Sequence, residues 1–198
     1  MDIDNFWSRL ESWAADNKPD MTAELNGPAR QEELRELEAA LELSLPPDFS
    51  ASLLCHNGET ELAGEGLVWA DGGGLLSTQK ILEWWRTLRE LNSEPPASAE
   101  ETRSLIESGV ISVQGPVKAI GFSPRWIPFM ERNSDVYWCV DLDPAEHGRP
   151  GQIIKVDPEC CLWEVCAESY AAFFERYVSD LETGVFEIDE DGFLARSE

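Results

Sequence analysis

The spacing of apolar residues changes near the middle of the chain, and this change constrains the fold more than any other feature of the sequence. In the first half, apolar side chains recur every three or four residues, which is typical of amphipathic helices packed on a core. In the second half they form short runs separated by turn residues, which is typical of antiparallel strands. One further helical pattern follows. This order predicts an α+β fold with N-terminal helices, an antiparallel meander sheet and a C-terminal helix packed on the sheet.

Five segments have the apolar spacing of helices, and some of them carry end signals. Ser77 and Ser169 are expected to cap the helices that follow them, because a serine oxygen accepts a free N–H of the first turn. Asn57 and Gly58 are expected to end the third helix, since both residue types tolerate a left-handed backbone. The expected helices are 3–13, 30–41, 48–56, one that follows Ser77 and one that follows Ser169.

The strands are expected at short apolar or β-rich runs: 67–69, 117–120, 126–130, 137–141, 152–156 and 161–165. Residues 92–101 contain Pro95 and Pro96, and we expect this segment to be a flexible insertion. Residues 185–198 are expected to form an acidic tail with a short edge strand. A length of 198 residues predicts a single domain over 1–198.

The charge of the chain narrows the class of partner. With 39 acidic and 15 basic residues, the net charge is −24. A strongly negative surface repels nucleic acid and anionic membranes, and it speeds the encounter with a basic protein. High negative charge also keeps a protein in solution without any partner. We therefore expect a basic protein partner and no binding to nucleic acid or membrane.

The cysteine usage and the apolar runs indicate a cytoplasmic protein. The five cysteines are odd in number and irregularly spaced, which is a poor disulfide framework. The N-terminal residues have no basic region followed by an apolar stretch, so no signal peptide is expected. No apolar run approaches the ~20 residues of a membrane-spanning helix.

Few residues suggest catalysis or metal binding. His56 is expected to donate to the carbonyl end of its helix, and His147 lies in a turn rich in glycine and proline. Cys160, Cys161 and Cys166 lack the second pair of ligands that a zinc site requires. The chain has no phosphate-binding or serine-hydrolase motif. We expect no enzyme activity, no cofactor and no metal.

Three aspartates allow an alternative. Asp141 and Asp143 share one face of an expected strand, and Asp135 is placed to fold toward them across a hairpin. Together they would hold a hard cation or act as an acid/base pair, which would make the chain an enzyme. The structural interpretation is that Asp143 opens a turn by bonding nearby backbone N–H groups, while Asp141 is an ordinary edge carboxylate. The lack of a complete metal motif favours the structural interpretation.

The tryptophans are candidates for protein contacts. Trp84 and Trp85 are neighbours on one helix and point about 100° apart, so one of them is expected at the edge of the core or in solvent. Exposed tryptophan is typical of binding hot spots, whereas rings that only cover the core edge have no such role. Trp69 has the same ambiguity. The candidate partner-binding residues are Trp69, Trp84, Trp85, Asp135, Asp141 and Asp143.

Several short motifs occur in the order found in one known family. They are Glu-Leu-Glu at 36–38, Leu-Pro-Pro-Asp-Phe at 45–49, His-Asn-Gly at 56–58, Trp-Ile-Pro-Phe at 126–129, Val-Asp-Leu-Asp-Pro at 140–144 and Gly-Gln-Ile-Ile at 151–154. With the final aromatic helix, they make the chain similar to the SUKH superfamily over about 28–184, the expected core of the domain. The turn at 133–135 departs from the Gly-Asp often found there, and the resemblance does not cover the first helix or the prolines.

The resemblance implies a single α+β domain without an established catalytic centre that binds another protein. Bacterial members are immunity proteins that neutralise toxins, often nucleases, and an acidic surface suits the basic cleft of such a toxin. Fungal members of the Smi/Knr type regulate cell-wall synthesis, and for them 92–101 and the tail would be adaptable segments. We expect an immunity protein, with a regulator or scaffold as the alternative.

Overall fold

The computed structural model describes residues 3–60, 73–94, 97–188 and 194–196. The helices are α1 Ile3–Asn17, α2 Pro19–Ala23, α3 Gln31–Leu41, α4 Pro47–Cys55, α5 Thr78–Leu91, α6 Ala99–Glu107 and α7 Tyr170–Glu182. The strands are β1 Gly74–Leu75, β2 Ser112–Gln114, β3 Trp126–Arg132, β4 Val136–Asp141, β5 Gln152–Asp157, β6 Leu162–Ala167, β7 Phe186–Ile188 and β8 Leu194–Arg196. The expected α+β class is confirmed, including the C-terminal helix on the sheet.

Within the described residues, the main sheet has six strands in the order β1-β3-β4-β5-β6-β2. Strands β3 to β6 form the expected antiparallel meander, in which each strand pairs with the next along the chain. The edge strand β2 runs parallel to β6, so the sheet is mixed rather than purely antiparallel. Strands β7 and β8 form a separate two-stranded ribbon near the C-terminus.

Four of the predicted strands are confirmed as β3, β4, β5 and β6. The strand predicted at 117–120 is wrong, because the backbone there makes tight turns in which Val117 N–H donates to Gly115 and Ile120 N–H donates to Lys118. The run is apolar since Val117 is buried, not because it lies in a sheet. The strand predicted at 67–69 lies outside the described residues.

The predicted helix caps at Ser77 and Ser169 are confirmed, since their hydroxyl oxygens accept from the N–H groups of Lys80 and Ala172. Helix α6 was not predicted. It begins at a capping box in which Ser98 accepts from the Glu101 N–H and the Glu101 carboxylate accepts from the Ser98 N–H. It starts inside the segment expected to be a flexible insertion, whose Pro95 and Pro96 lie outside the described residues.

The left-handed stop predicted at Asn57 and Gly58 is wrong, because α4 already ends at Cys55 and the residue after it is extended. Asn57 and Gly58 instead position the next helix. Gly58 has a φ of +70°, and a Cβ there would lie 2.4 Å from the Ser77 nitrogen, so only glycine fits. The Asn57 side-chain oxygen accepts from the Thr78 N–H at 2.7 Å, in the first turn of α5. The end of α4 and the start of α5 are therefore held together by one short segment.

An aromatic cluster joins the helices to the sheet. Phe129 of β3 lies between Phe49 of α4 and three rings of α7, which are Tyr170, Phe173 and Phe174. Ring-centre distances within this cluster are 4.5–6.3 Å. Phe6 of α1 packs on Phe174 at 4.9 Å. Helices α4 and α7 thus pack on one face of the sheet through a single group of rings, and α1 packs on α4 and α7.

A buried hydrogen-bond chain crosses this cluster. The Trp7 indole N–H donates to the Ser52 hydroxyl at 3.1 Å, and this hydroxyl is 3.1 Å from the Tyr170 hydroxyl. Ser52 therefore satisfies polar groups from α1 and α7 that water does not reach. It links three helices through one small side chain.

Replacing Ser52 with alanine should destabilise the fold by about 1–3 kcal/mol, because it leaves the buried Trp7 N–H without an acceptor. Chemical denaturation measures this loss. Ser93→Ala, at an exposed position, is the matched control and should change stability by less than about 0.5 kcal/mol. Equal effects of the two substitutions would contradict the role of Ser52.

Candidate partner-binding sites

The three predicted aspartates do not form one site. Asp135 lies in the turn before β4, whereas Asp141 is the last residue of that strand. Six residues of extended chain separate them by about 20 Å. The predicted acid/base or cation site of three carboxylates is therefore wrong, because Asp135 cannot reach the other two.

Asp141 is buried and works inside the fold. Its carboxylate accepts from the Asp143 N–H at 2.8 Å and from the Gln152 side-chain amide at 2.9 Å. Burial raises its pKa, and these two hydrogen bonds oppose the rise. The interpretation of Asp141 as an ordinary edge carboxylate is wrong. The prediction that Asp141 binds a partner is also wrong, since its side chain is completely buried.

Asp143 holds an irregular segment against the end of β4. Its carboxylate accepts from the Lys118 ammonium at 2.5 Å and from the Ser123 hydroxyl at 3.0 Å. The turn interpretation placed backbone N–H donors on Asp143, but its partners here are side chains, and Asp141 accepts from the backbone instead. Asp143 and Asp135 are half-buried, and their partner-binding role stays a prediction.

The paired tryptophans are mostly covered. Trp85 is buried, its indole N–H donates to the Pro124 carbonyl at 3.0 Å, and the Arg89 guanidinium lies 4.4 Å from its ring. Trp84 is half-buried, and its buried indole N–H has no acceptor among the described residues. Burial removes Trp85 from any contact surface, while Trp84 keeps an accessible edge. Trp69 lies outside the described residues.

The histidine and cysteine side chains have structural surroundings. The sequence predicted that His56 donates to the end of its own helix, and this is wrong. Its ring nitrogens instead contact the Asn26 carbonyl at 3.0 Å and the Glu11 carboxylate at 2.9 Å. None of the five cysteines, all of them described, is in a disulfide. Within the described ranges, no cluster of three His, Cys, Asp or Glu residues is placed to hold a metal ion.

A groove that the sequence did not reveal lies between α7, the sheet and the C-terminal ribbon. It has a volume of about 380 Å³. The groove is lined by aromatic and charged side chains. The aromatic ones are Trp138, Phe173, Tyr177 and Phe186, and the charged ones are Lys155, Glu164, Arg176, Asp180 and Arg196. We call it the α7 groove. The register of three strands brings together Trp138, Lys155 and Glu164, so no local sequence motif predicts the α7 groove.

A second surface consists of exposed apolar side chains on α6 and the turn after it. Leu105, Ile106 and Val110 are 37%, 39% and 57% exposed. We call them the α6 patch. No residue of α6 is buried, so its apolar side chains do not serve the core. The sequence contains this signal, but the prolines before it led us to expect a flexible insertion over 92–101 and no helix after it.

Asp141→Asn should destabilise the protein by about 1–3 kcal/mol at neutral pH, because the new amide group faces the Gln152 amide, which already donates to Pro116. Asp143→Asn removes a half-exposed pair and should cost less. Chemical denaturation of both variants measures the difference.

The loss for Asp141→Asn should be larger near pH 3.8 than at neutral pH. Folding raises the pKa of the Asp141 carboxyl, so the wild-type protein loses stability as the pH rises above 3.8, the ordinary pKa of this group. The asparagine variant has no such carboxyl, so its stability lacks this fall, and the difference between the two proteins shrinks toward neutral pH. A loss that grows with pH would contradict the buried position of Asp141.

Comparison with known proteins places the chain in a family. Residues 28–176 match the SMI1 / KNR4 family (SUKH-1). The chain is 28% identical to a KNR4/SMI1 homolog of Yarrowia lipolytica, over 93% of this chain and 31% of the relative. It is 27% identical to the cell wall biosynthesis/cell cycle regulator smi1 of Schizosaccharomyces pombe, over 96% and 38%. It is 25% identical to the glucan synthesis regulatory protein of Neurospora crassa, over 93% and 39%.

The chain thus spans between about a third and two fifths of the length of these relatives. In the part of the chain that the structure describes, none of the helices has the length and apolar character needed to cross a membrane.

Proposed function

Because the chain belongs to the SMI1 / KNR4 family (SUKH-1), we propose that it is a non-catalytic protein-binding domain that regulates or scaffolds cell-wall synthesis. The single observation that carries this proposal is the family match over 28–176, together with relatives that are named as regulators of cell-wall and glucan synthesis. The proposal treats 1–198 as one domain and places it in the cytosol. Five cysteines outside any disulfide favour a reducing compartment.

The regulator is preferred to the immunity protein that we expected from sequence. Charge was the main argument for a basic toxin as the partner, and a net charge of −24 also suits a protein that only needs to stay in solution. The relatives described above are fungal proteins, and two of them carry regulator names. Both functions need a partner-binding surface and no catalytic group.

The α6 patch is the surface that we assign to the partner. Exposed apolar side chains grouped on one segment are typical of protein interaction sites. Leu105, Ile106 and Val110 lie within six residues, and α6 packs none of its side chains into the core. A partner that covers them removes apolar area from water without rearranging this domain.

The charges of α6 indicate the chemistry of the partner. Glu100, Glu101 and Glu107 are exposed on this helix, where Arg103 is the one basic residue. An apolar groove with a basic rim would accept the helix, as in other complexes in which a helix lies in a groove. Binding should weaken moderately with salt, since only the rim is ionic.

Substituting Leu105→Gln and Ile106→Gln together should abolish partner binding while leaving stability nearly unchanged. Glutamine favours helix as well as these residues do, and neither side chain is in the core. The test compares proteins captured from the cytosol by the wild type and by the double variant, with quantitative mass spectrometry.

Leu91→Gln is the matched control, because Leu91 is 74% exposed at the end of a different helix. The control should retain the partners that the double variant loses. Capture that is unchanged in the double variant would exclude the α6 patch. Retention of one basic toxin rather than regulatory proteins would support the immunity function instead.

A further inference from the structure

We propose that the α7 groove binds an acidic group, a carboxylate or a phosphate, borne by a peptide of the partner. The inference rests on the proposed function, because it names the chemistry of a protein partner at a second surface. Three basic side chains of the groove carry it: Lys155, Arg176 and Arg196. They come from β5, α7 and β8, so only the folded chain brings them to one place.

Each of the three cations is positioned by a contact that leaves its charge intact. The Lys155 ammonium lies 5.3 Å from the centre of the Trp138 ring, and the Arg196 guanidinium lies 5.6 Å from the Phe186 ring. Arg176 donates to the Cys166 carbonyl at 3.1 Å. Aromatic rings and carbonyl oxygens attract a cation without neutralising it. The remaining donors of these side chains are therefore available to a ligand.

None of the three forms an ion pair within 4.0 Å when partners are sought among the described residues. Several other cations of the described residues, Arg86 and Arg103 among them, also lack such a pair. What distinguishes these three is that they converge on one groove of a chain in which carboxylates outnumber cations by 39 to 15. Arg9, by contrast, pairs with both Glu175 and Glu182. The α7 groove is thus a local positive site on a negative protein.

The other groups of the groove limit the ligand to a small anion. Glu164 and Asp180 also line it, so three cations and two carboxylates leave a net charge of +1. One carboxylate is balanced by this charge, and one phosphate monoester, at about −1.5 to −2, exceeds it by at most about one charge. A nucleic acid or an anionic membrane, with many charges, is repelled by the whole chain. The ligand is therefore one acidic side chain of a peptide.

The size and the walls of the groove fit such a side chain. Its volume of about 380 Å³ is at the lower end of ligand pockets, which span about 300–1,000 Å³. Tyr177 and Phe186, with ring centres 5.9 Å apart, form an aromatic wall beside Arg196. An aromatic or aliphatic stem would pack there while its acidic end contacts the cations.

The test is a titration of the purified full chain, followed by NMR of the tryptophan indole N–H signals. The probes are N-acetyl-phosphotyrosine amide and N-acetyl-glutamate amide, with N-acetyl-tyrosine amide as the neutral probe and inorganic phosphate as the free anion. We expect saturable shifts of the Trp138 signal with the acidic probes and none with the neutral probe. The acidic probe that binds with the higher affinity shows whether the groove prefers a phosphate or a carboxylate.

The substitutions Lys155→Met and Arg196→Met should each lower the affinity for the tighter-binding acidic probe about tenfold, because each removes one charged donor and keeps an apolar stem. Arg86→Met, which removes the same charge at an exposed position of α5, should leave the affinity unchanged. Testing two groove variants from different elements guards against a loss of fold in either one.

Equal binding of the neutral probe, no saturable shift, or the same affinity loss in Arg86→Met would overturn the proposal. Such a result leaves the proposed function intact if the α6 patch still decides which partners are captured. Acidic probes that bind the α7 groove while capture fails would overturn the proposed function and leave the anion site.

Discussion

The packing of α7 on the sheet is the interaction on which the other parts of the molecule depend. Phe129 of β3 contacts the rings of Tyr170, Phe173 and Phe174, and aromatic pairs of this kind each add about 0.5–1.5 kcal/mol beyond burial. The Asp48 carboxylate of α4 accepts from the Ala171 N–H at 2.9 Å, which fixes the start of α7. Two glutamates on the outer side of α7 hold Arg9 of α1, so the first helix is attached to the last.

This position gives α7 two roles. One side of the helix closes the core, and Phe173, Arg176, Tyr177 and Asp180, spaced by three and four residues, line the α7 groove. The groove is therefore built on regular helix and strand elements and suits recognition of a defined chemical group. The α6 patch differs, since its helix contributes nothing to the core and projects apolar side chains into solvent. A regulator that contacts a partner through both surfaces would gain affinity from one and specificity from the other.

Features set by neighbouring residues could be predicted from the sequence. The caps at Ser77 and Ser169 and the four central strands depend on local chemistry. The burial of Asp141 could not be predicted, because it depends on the pairing of Asp141 with Gln152 across two strands. The α7 groove requires residues from the sheet, a helix and the terminal ribbon. Helix α6 could have been predicted from its capping box at Ser98 and Glu101. The prolines before it favoured a flexible segment instead.

Amide hydrogen exchange of the protein with and without a captured partner tests whether the chain binds a protein through α6. We predict slower exchange at residues 105–111 in the complex, where the N–H groups of Val110 and Ile111 donate to Leu105. Protection confined to the turn at Asp135, with α6 exchanging as in the free protein, would contradict it.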